Sequence, residues 1–132
     1  MEQRPVIPNA KVNAETSVEE AFQSEVLRPI IKMKHDLIIA YTKHILAKKY
    51  DYFSLNQEQK LNYLSTCIEQ NQMLRSELRG VVMGQFTLNE FEQYSKMISA
   101  SNKRIMNIII ERMIDHLEVL SQPSWVLYAM FF

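Results

Sequence analysis

From Val18 to about Lys49 the apolar residues keep helical spacing, interrupted by Pro29, which removes a backbone donor and is expected to bend the helix. On a wheel of about 100° per residue, Phe22, Val26, Ile30, Met33, Leu37, Ala40 and Tyr41 fill one sector, and Leu27, Ile31, Ile38 and Ile45 fill the next. So wide an apolar surface predicts a helix that is central in a bundle or that shares one stripe with a second subunit. Its start is marked by Ser17-Val-Glu-Glu20, a capping-box pattern in which hydroxyl and carboxylate each satisfy a free N–H of the first turn. Ser54-Leu-Asn-Gln57 reads as a second box, opening a short helix over about 55–69 with Leu61, Leu64 and Ile68 inward. Asn71 reads as the cap of another short helix, over about 72–85, with Leu74, Leu78, Val81 and Val82 on one face. A third box, Thr87-Leu-Asn-Glu90, opens a pattern without Gly or Pro over about 88–120. Its buried stripe is Phe91, Tyr94, Ile98, Ile105, Ile109, Met113 and Leu120.

The order long, short, short, long suits an all-α bundle in which two long antiparallel helices, about 18–49 and 88–120, carry the short pair between them. Composition agrees with this reading. Two glycines and four prolines in 132 residues are too few turn-formers for a many-stranded sandwich or barrel, and 47% apolar content excludes a disordered chain. Residues 1–16, with Pro5 and Pro8 and no helical period, read as an extended arm; 17–120 read as one bundle domain. After Pro123 the apolar run Trp125-Val-Leu-Tyr-Ala-Met-Phe-Phe132 makes a tail over 121–132 that must find cover, either in its own bundle or on a partner. Trp125, Leu127, Tyr128, Phe131 and Phe132 are therefore candidate interface residues. Gly80 and Gly84, each unfavourable inside a helix by roughly 1 kcal/mol relative to Ala, predict close approach by a neighbouring helix.

The same glycines stand four apart, which fits neither a dinucleotide-binding turn nor a P-loop, so no phosphate-cradling loop and no cofactor is implied. No Glu-x-x-His, His-Glu-x-x-His or Cys-x-x-Cys occurs, and no metal centre is expected. Cys67, on the flank of a core stripe, reads as a packed inert thiol, and no catalytic set emerges around it. His35 falls on the polar side of the first helix, whereas His44, His116 and Asn102 fall inside apolar stripes and need polar partners. In the antiparallel arrangement His44 and His116 lie ~35 Å apart and cannot meet within one subunit. Arg75 and Arg79, one turn apart beside the glycines, are the nearest approach to an anion site.

Charge sums to zero but is unevenly spread: residues 1–25 carry net −3, residues 26–49 carry +5, and the remainder −2. The basic first helix is the feature that nucleic-acid binding would use, yet it has no aromatic interleaving, and its terminal lysines also complement the helix dipole. The single cysteine cannot form an internal disulfide. Neither a signal-like segment nor an apolar run of the ~20 residues needed to span a bilayer is present, which makes a cytoplasmic location the default expectation.

Leu27-Arg28-Pro29-Ile30 through Lys34, and Leu78-Arg79-Gly80 through Gly84-Gln85-Phe86-Thr87, resemble a small group of all-helical bacterial proteins without an established function, some of which go under the name glyoxalase. The resemblance covers roughly two-thirds of the chain and implies a helical fold. The metal-binding motifs of the glyoxalases have no counterpart here, so no catalytic residue carries over. The leading expectation is a non-catalytic interaction or scaffold protein that self-associates as a homodimer, its eight methionines supplying adaptable contact. The alternative is a helical protein or enzyme that binds a small anion between the long helices near Arg75, Arg79 and an inward histidine. Nucleic-acid binding by the first helix is third.

Overall fold

The computed structural model describes residues 4–5, 17–48 and 51–116. Among the described residues the regular structure is entirely helical: α1 (Val18–Phe22), a π-helical turn (Gln23–Leu27), α2 (Arg28–Met33), α3 (His35–Leu46), a 3-10 turn (Tyr52–Ser54), α4 (Gln57–Gln70), α5 (Gln72–Met83), α6 (Leu88–Ser95) and α7 (Ile98–Asp115). No helix among these residues is long and apolar enough to cross a membrane.

The first helical stretch is continuous in its hydrogen bonding but not in its winding. Pro29 cannot give an N–H to the carbonyl four residues back, and the turn before it widens so that the Arg28 N–H reaches the Gln23 carbonyl, five residues away. The expected bend at the proline thus takes the form of a π-helical turn, with Pro29 itself buried. A second irregularity sits at Lys34, with φ −96° and ψ 14°, although the Lys34 N–H still reaches the Ile30 carbonyl at 2.9 Å. Together they shift the phase of everything downstream. Ile30 and Ile31 are fully buried, and Ile38, Ile45 and Leu46 continue the core. Leu37, assigned to the first stripe by an uninterrupted wheel, is instead 52% exposed.

Caps set the remaining boundaries. Ser17 Oγ accepts from the Glu20 N–H, starting α1 at Val18 as expected. The box that opens α4 lies two residues beyond the sequence expectation: Asn56 Oδ1 accepts from the Gln59 N–H at 2.8 Å, and Gln59 Oε1 accepts from the Asn56 N–H at 3.0 Å. Ser54 closes the 3-10 turn instead, donating its hydroxyl to the Asp51 carbonyl. Asn71 is the only residue between α4 and α5, and its side chain caps α5 through the Leu74 N–H. Thr87 and Glu90 form the expected reciprocal box at the start of α6.

The predicted helix over 88–120 is corrected in two respects. It is broken at Lys96 and Met97, where Met97 adopts φ −147° and ψ 48°. Ser95 turns its hydroxyl back onto the Glu92 carbonyl at 2.7 Å, a bond that bends helices, and the Tyr94 hydroxyl donates to Asn102 Oδ1 across the break. The break also rotates α6 against α7, so Phe91 and Ile98 are 44% and 47% exposed while Ile105, Ile109 and Met113 are buried. The orientation differs as well. Arg104 donates to Gln23 at 2.8 Å, and the ring of His116 packs on that of His35. Both pairs are 81 residues apart, so the first helical stretch and α7 run side by side in the same direction rather than antiparallel. The chain between them, through α4, α5 and α6, makes the return that a parallel pair requires.

The core forms where α2, α3, α4, α5 and α7 meet, around Leu27, Ile30, Leu64, Leu74, Leu78 and Ile109, each at most 1% exposed. Leu74, Leu78 and Val82 form the inward stripe of α5, which packs on α3 and α7. Of the N-terminal arm, Arg4 and Pro5 are described. Arg4 is anchored to α6: Nη1 lies 2.5 Å from Glu90 Oε2, Nη2 lies 2.7 Å from Glu90 Oε1, and Nη2 also donates to the Gln85 carbonyl. The expected end of the last helix at Leu120 and the apolar tail with Trp125, Leu127, Tyr128, Phe131 and Phe132 lie outside the described residues.

A candidate anion-binding cleft

Arg75 and Arg79 stand one turn apart on α5 because residues four apart share a helix face, and the buried Leu74 and Leu78 beside them fix that face against α7. The two arginines border a cleft of about 510 Å³ whose opposite wall is α7, with Ser99, Asn102, Lys103 and Asn107, and whose floor includes Met106 and Ile110. Glu69, near the end of α4, is the one carboxylate on its lining. Arg75 Nη1 is held by the Ile68 carbonyl at 2.8 Å, a carbonyl near the open C-terminal end of α4, and this bond aims the guanidinium over the α4–α5 junction. Arg79 is held more loosely, by Ser76 Oγ at 3.4 Å. None of Arg75, Arg79 and Lys103 is paired with a carboxylate among the described residues.

Asn102 explains its own position. Its Oδ1 accepts from the Tyr94 hydroxyl at 2.7 Å, and the residue also lines the cleft. The expectation of a polar partner for Asn102 is met, and that partner lies across the break between α6 and α7. Three of the candidate binding residues, Arg75, Arg79 and Asn102, are therefore brought to one place. Lys103 and Asn107, which are not on the stripe predicted to be buried, join them from α7. Their signal in the sequence was the spacing Ser99, Lys103, Asn107, a polar row along one edge of α7.

The histidines distribute differently from the sequence expectation. His44 is exposed on α3, because the irregularities at Pro29 and Lys34 turn its face outward. His35, expected on the polar side, is half-buried, and its ring centroid lies 4.4 Å from that of His116. His116 Nδ1 donates to the Arg112 carbonyl at 2.8 Å in the last turn of α7. Neither His44 nor His116 lines the arginine cleft.

The expectation for the glycines is also corrected. Gly80 and Gly84 are exposed, and a methyl group added at Gly80 would meet nothing within 4 Å. No helix packs on that side of α5 among the described residues, and its contacts are made through the opposite stripe. Gly84 is tighter only against its own helix, with the Gly80 carbonyl 3.1 Å from a built Cβ. Cys67 is a free, half-buried thiol packed on the core. Among the described residues no group of three or more His, Cys, Asp or Glu side chains is placed to hold a metal ion.

The interior of α3 carries unmet polar demand. Lys43 is 4% exposed, its Nζ has no hydrogen-bond partner among the described residues, and burial pushes its pKa below the ordinary value. The neighbouring Thr42 hydroxyl is likewise unpartnered among them. Neither residue was legible as buried, since both fall outside the two apolar sectors of an unbroken wheel.

No protein-family model, curated protein or solved structure matches the chain.

Proposed function

We propose that the chain binds a small anionic ligand in the cleft between α5 and α7. The observation that carries this reading is the convergence of Arg75, Arg79 and Lys103, three cations against the single carboxylate Glu69 and none of them ion-paired among the described residues, around a concavity of about 510 Å³. Charged donors of this kind recognise carboxylate or phosphate strongly, and arginine does so with two parallel bonds. Asn102, Ser99 and Asn107 add neutral polar groups, and Met106 and Ile110 offer an apolar wall to the body of the ligand. The chemistry supported is binding; no nucleophile with an adjacent base lines the cleft.

Thermal unfolding in the presence of inorganic phosphate, sulfate and a short fatty carboxylate tests the reading. The expected result is a saturable rise in midpoint with at least one of these anions, lost in the Arg75→Ala/Arg79→Ala double variant. An equal rise in wild type and variant, or none with any anion, would overturn it.

A second reading, self-association as a homodimer, is supported by a different observation. The outward face of α5 presents Met73 (51% exposed), Gly80, Met83 (41% exposed) and Gly84, a flat and adaptable surface with open space above Gly80. Native mass spectrometry tests it: a dimer that reverts to monomer in the Met73→Lys/Met83→Lys variant is expected, and a wild-type monomer refutes it.

A further inference from the structure

The contact between His35 and His116 joins the first turn of α3 to the residue that follows α7. The rings are tilted by 58° with centroids 4.4 Å apart, and both residues are half-buried. Their two environments are unequal. His116 Nδ1 donates to the Arg112 carbonyl, one of the last carbonyls of α7, and so carries a proton. His35 Nδ1 is buried without a partner among the described residues, so a charge on this ring would lack solvation.

The charged groups around the pair sharpen the asymmetry. Arg28 from α2 and Arg112 from α7 line the small hollow of about 120 Å³ beside His116, together with Glu111 and Asp115 from α7. Asp36 flanks His35 on α3. Two arginines, Arg28 and Arg112, and three carboxylates, Asp36, Glu111 and Asp115, thus surround the pair, with Arg112 acting on His35 more strongly than Asp36 does. One charge on the pair is met by the α7 carbonyl. A second would place two imidazolium rings in contact beside Arg112.

We propose that His35 and His116 form an acid-released clasp, closed while at most one ring is charged and opened when both are. Two rings in contact take up their protons in two steps that belong to the pair. Burial, and then Arg112 and His116, hold the pKa of His35 below 6.5, while Asp36 works in the opposite sense. Release frees the last turn of α7 from α3, and with it the point from which the chain continues toward Trp125 and Phe132. The proposal is independent of the arginine cleft, whose residues take no part in it.

The test is hydrogen exchange of the amides of Ile114 to His116 in the full chain, corrected for the intrinsic rate, at about pH 7.5 and about pH 5. Protection in the wild type is expected to fall by about tenfold or more, and in His35→Phe, which keeps an aromatic ring and removes the titration, it is expected to hold. Unchanged protection in the wild type, or an equal loss in both proteins, would overturn the clasp. Should His35→Phe fail to fold at neutral pH, the NMR titration of the wild-type imidazoles decides. A His35 midpoint below 6.5 supports the proposal, and one at or above 6.5 overturns it.

Discussion

Lys43 offers the sharpest test of the packing. Its side chain is 4% exposed in the interior face of α3, and its ammonium finds no hydrogen-bond partner among the described residues. Replacing it with Met keeps the length and most of the volume of the stem and removes the one group that loses its hydration. Helix propensity is nearly the same for the two residues, so it cancels. Leaving a polar or charged group buried and unpaired costs about 1–3 kcal/mol, and Lys43→Met is expected to stabilise the fold by an amount in that range. With a urea dependence of roughly 1.5 kcal/mol per M for a chain of this size, the midpoint should move up by about 1 M. The sign of the pH dependence is fixed by the depressed pKa. The folded state releases the proton more readily than the unfolded chain, whose lysine keeps its ordinary value of 10.5. The wild type is therefore penalised fully below the depressed folded value and regains stability as pH rises from there toward 10.5. The advantage of Lys43→Met must shrink over the same window. Urea unfolding followed by far-UV circular dichroism near neutral pH and at about pH 10 measures both quantities. A neutral or destabilising substitution, or a gain that does not change with pH, would refute the burial of an unpaired lysine.

Three further outcomes are expected of the same structure. Gly80→Ala should stabilise by about 1 kcal/mol, because it lies within α5, is exposed and has free space for a methyl group, whereas Gly84→Ala should gain less against the Gly80 carbonyl; thermal midpoints compare them. Thr87→Ala should cost about 1 kcal/mol by removing the cap of α6, read by chemical denaturation. Burial alone would raise the Glu90 pKa, but Arg4 and the Thr87 N–H hold it below 4.5, so its contribution is complete above that value and lost as pH falls through the depressed one. The stability difference between wild type and Glu90→Gln should accordingly narrow on acidification, and a difference that persists in acid would count against the Arg4 anchor.

The sequence conveyed local structure well. Ser17, Asn71 and Thr87 were legible as caps because a cap is chemistry within four residues, and the helical class came from spacing and from the scarcity of glycine. Phase across irregularities was conveyed poorly. An unbroken wheel carries a single phase from Phe22 to Ile45, but the π-helical turn before Pro29 and the bend at Lys34 each rotate the residues downstream, exchanging the roles of His35 and His44. The break at Met97 had no Gly or Pro to announce it. Its cause is tertiary: Ser95 folds back on its own helix while Tyr94 reaches Asn102. Direction was misjudged because helix order alone does not fix it: Phe22 meets Phe86 beyond the end of α5, whereas Gln23 meets Arg104 and His35 meets His116 on α7 and just after it. Arg75 and Arg79 could be found because their spacing is local, while Lys103 could not be assigned to the same cleft without knowing which face of α7 meets α5.

The cleft and the histidine clasp share α7, and the geometry of that helix decides whether they can influence each other. Lys103 and His116 are thirteen residues apart, which at 1.5 Å per residue is about 20 Å along the axis. That is about twice the distance over which exposed charges are screened at physiological salt. Direct electrostatic communication between an anion at Arg79 and the imidazoles is therefore weak, and coupling would have to pass through the packing of α7. The segment between them, with Ile105, Ile109 and Met113 fully or almost fully buried, is the best-packed part of the helix, whereas the clasp holds only its last turn. Opening the clasp should then fray α7 beyond Met113 and leave the cleft wall at Ser99 to Asn107 in place. Anion affinity measured at about pH 7.5 should consequently be the same in wild type and His35→Phe, and the imidazole midpoints should be unmoved by Arg79→Ala. A shift of either would mean that α7 moves as one rigid body, released from the core along its whole length when the histidines separate.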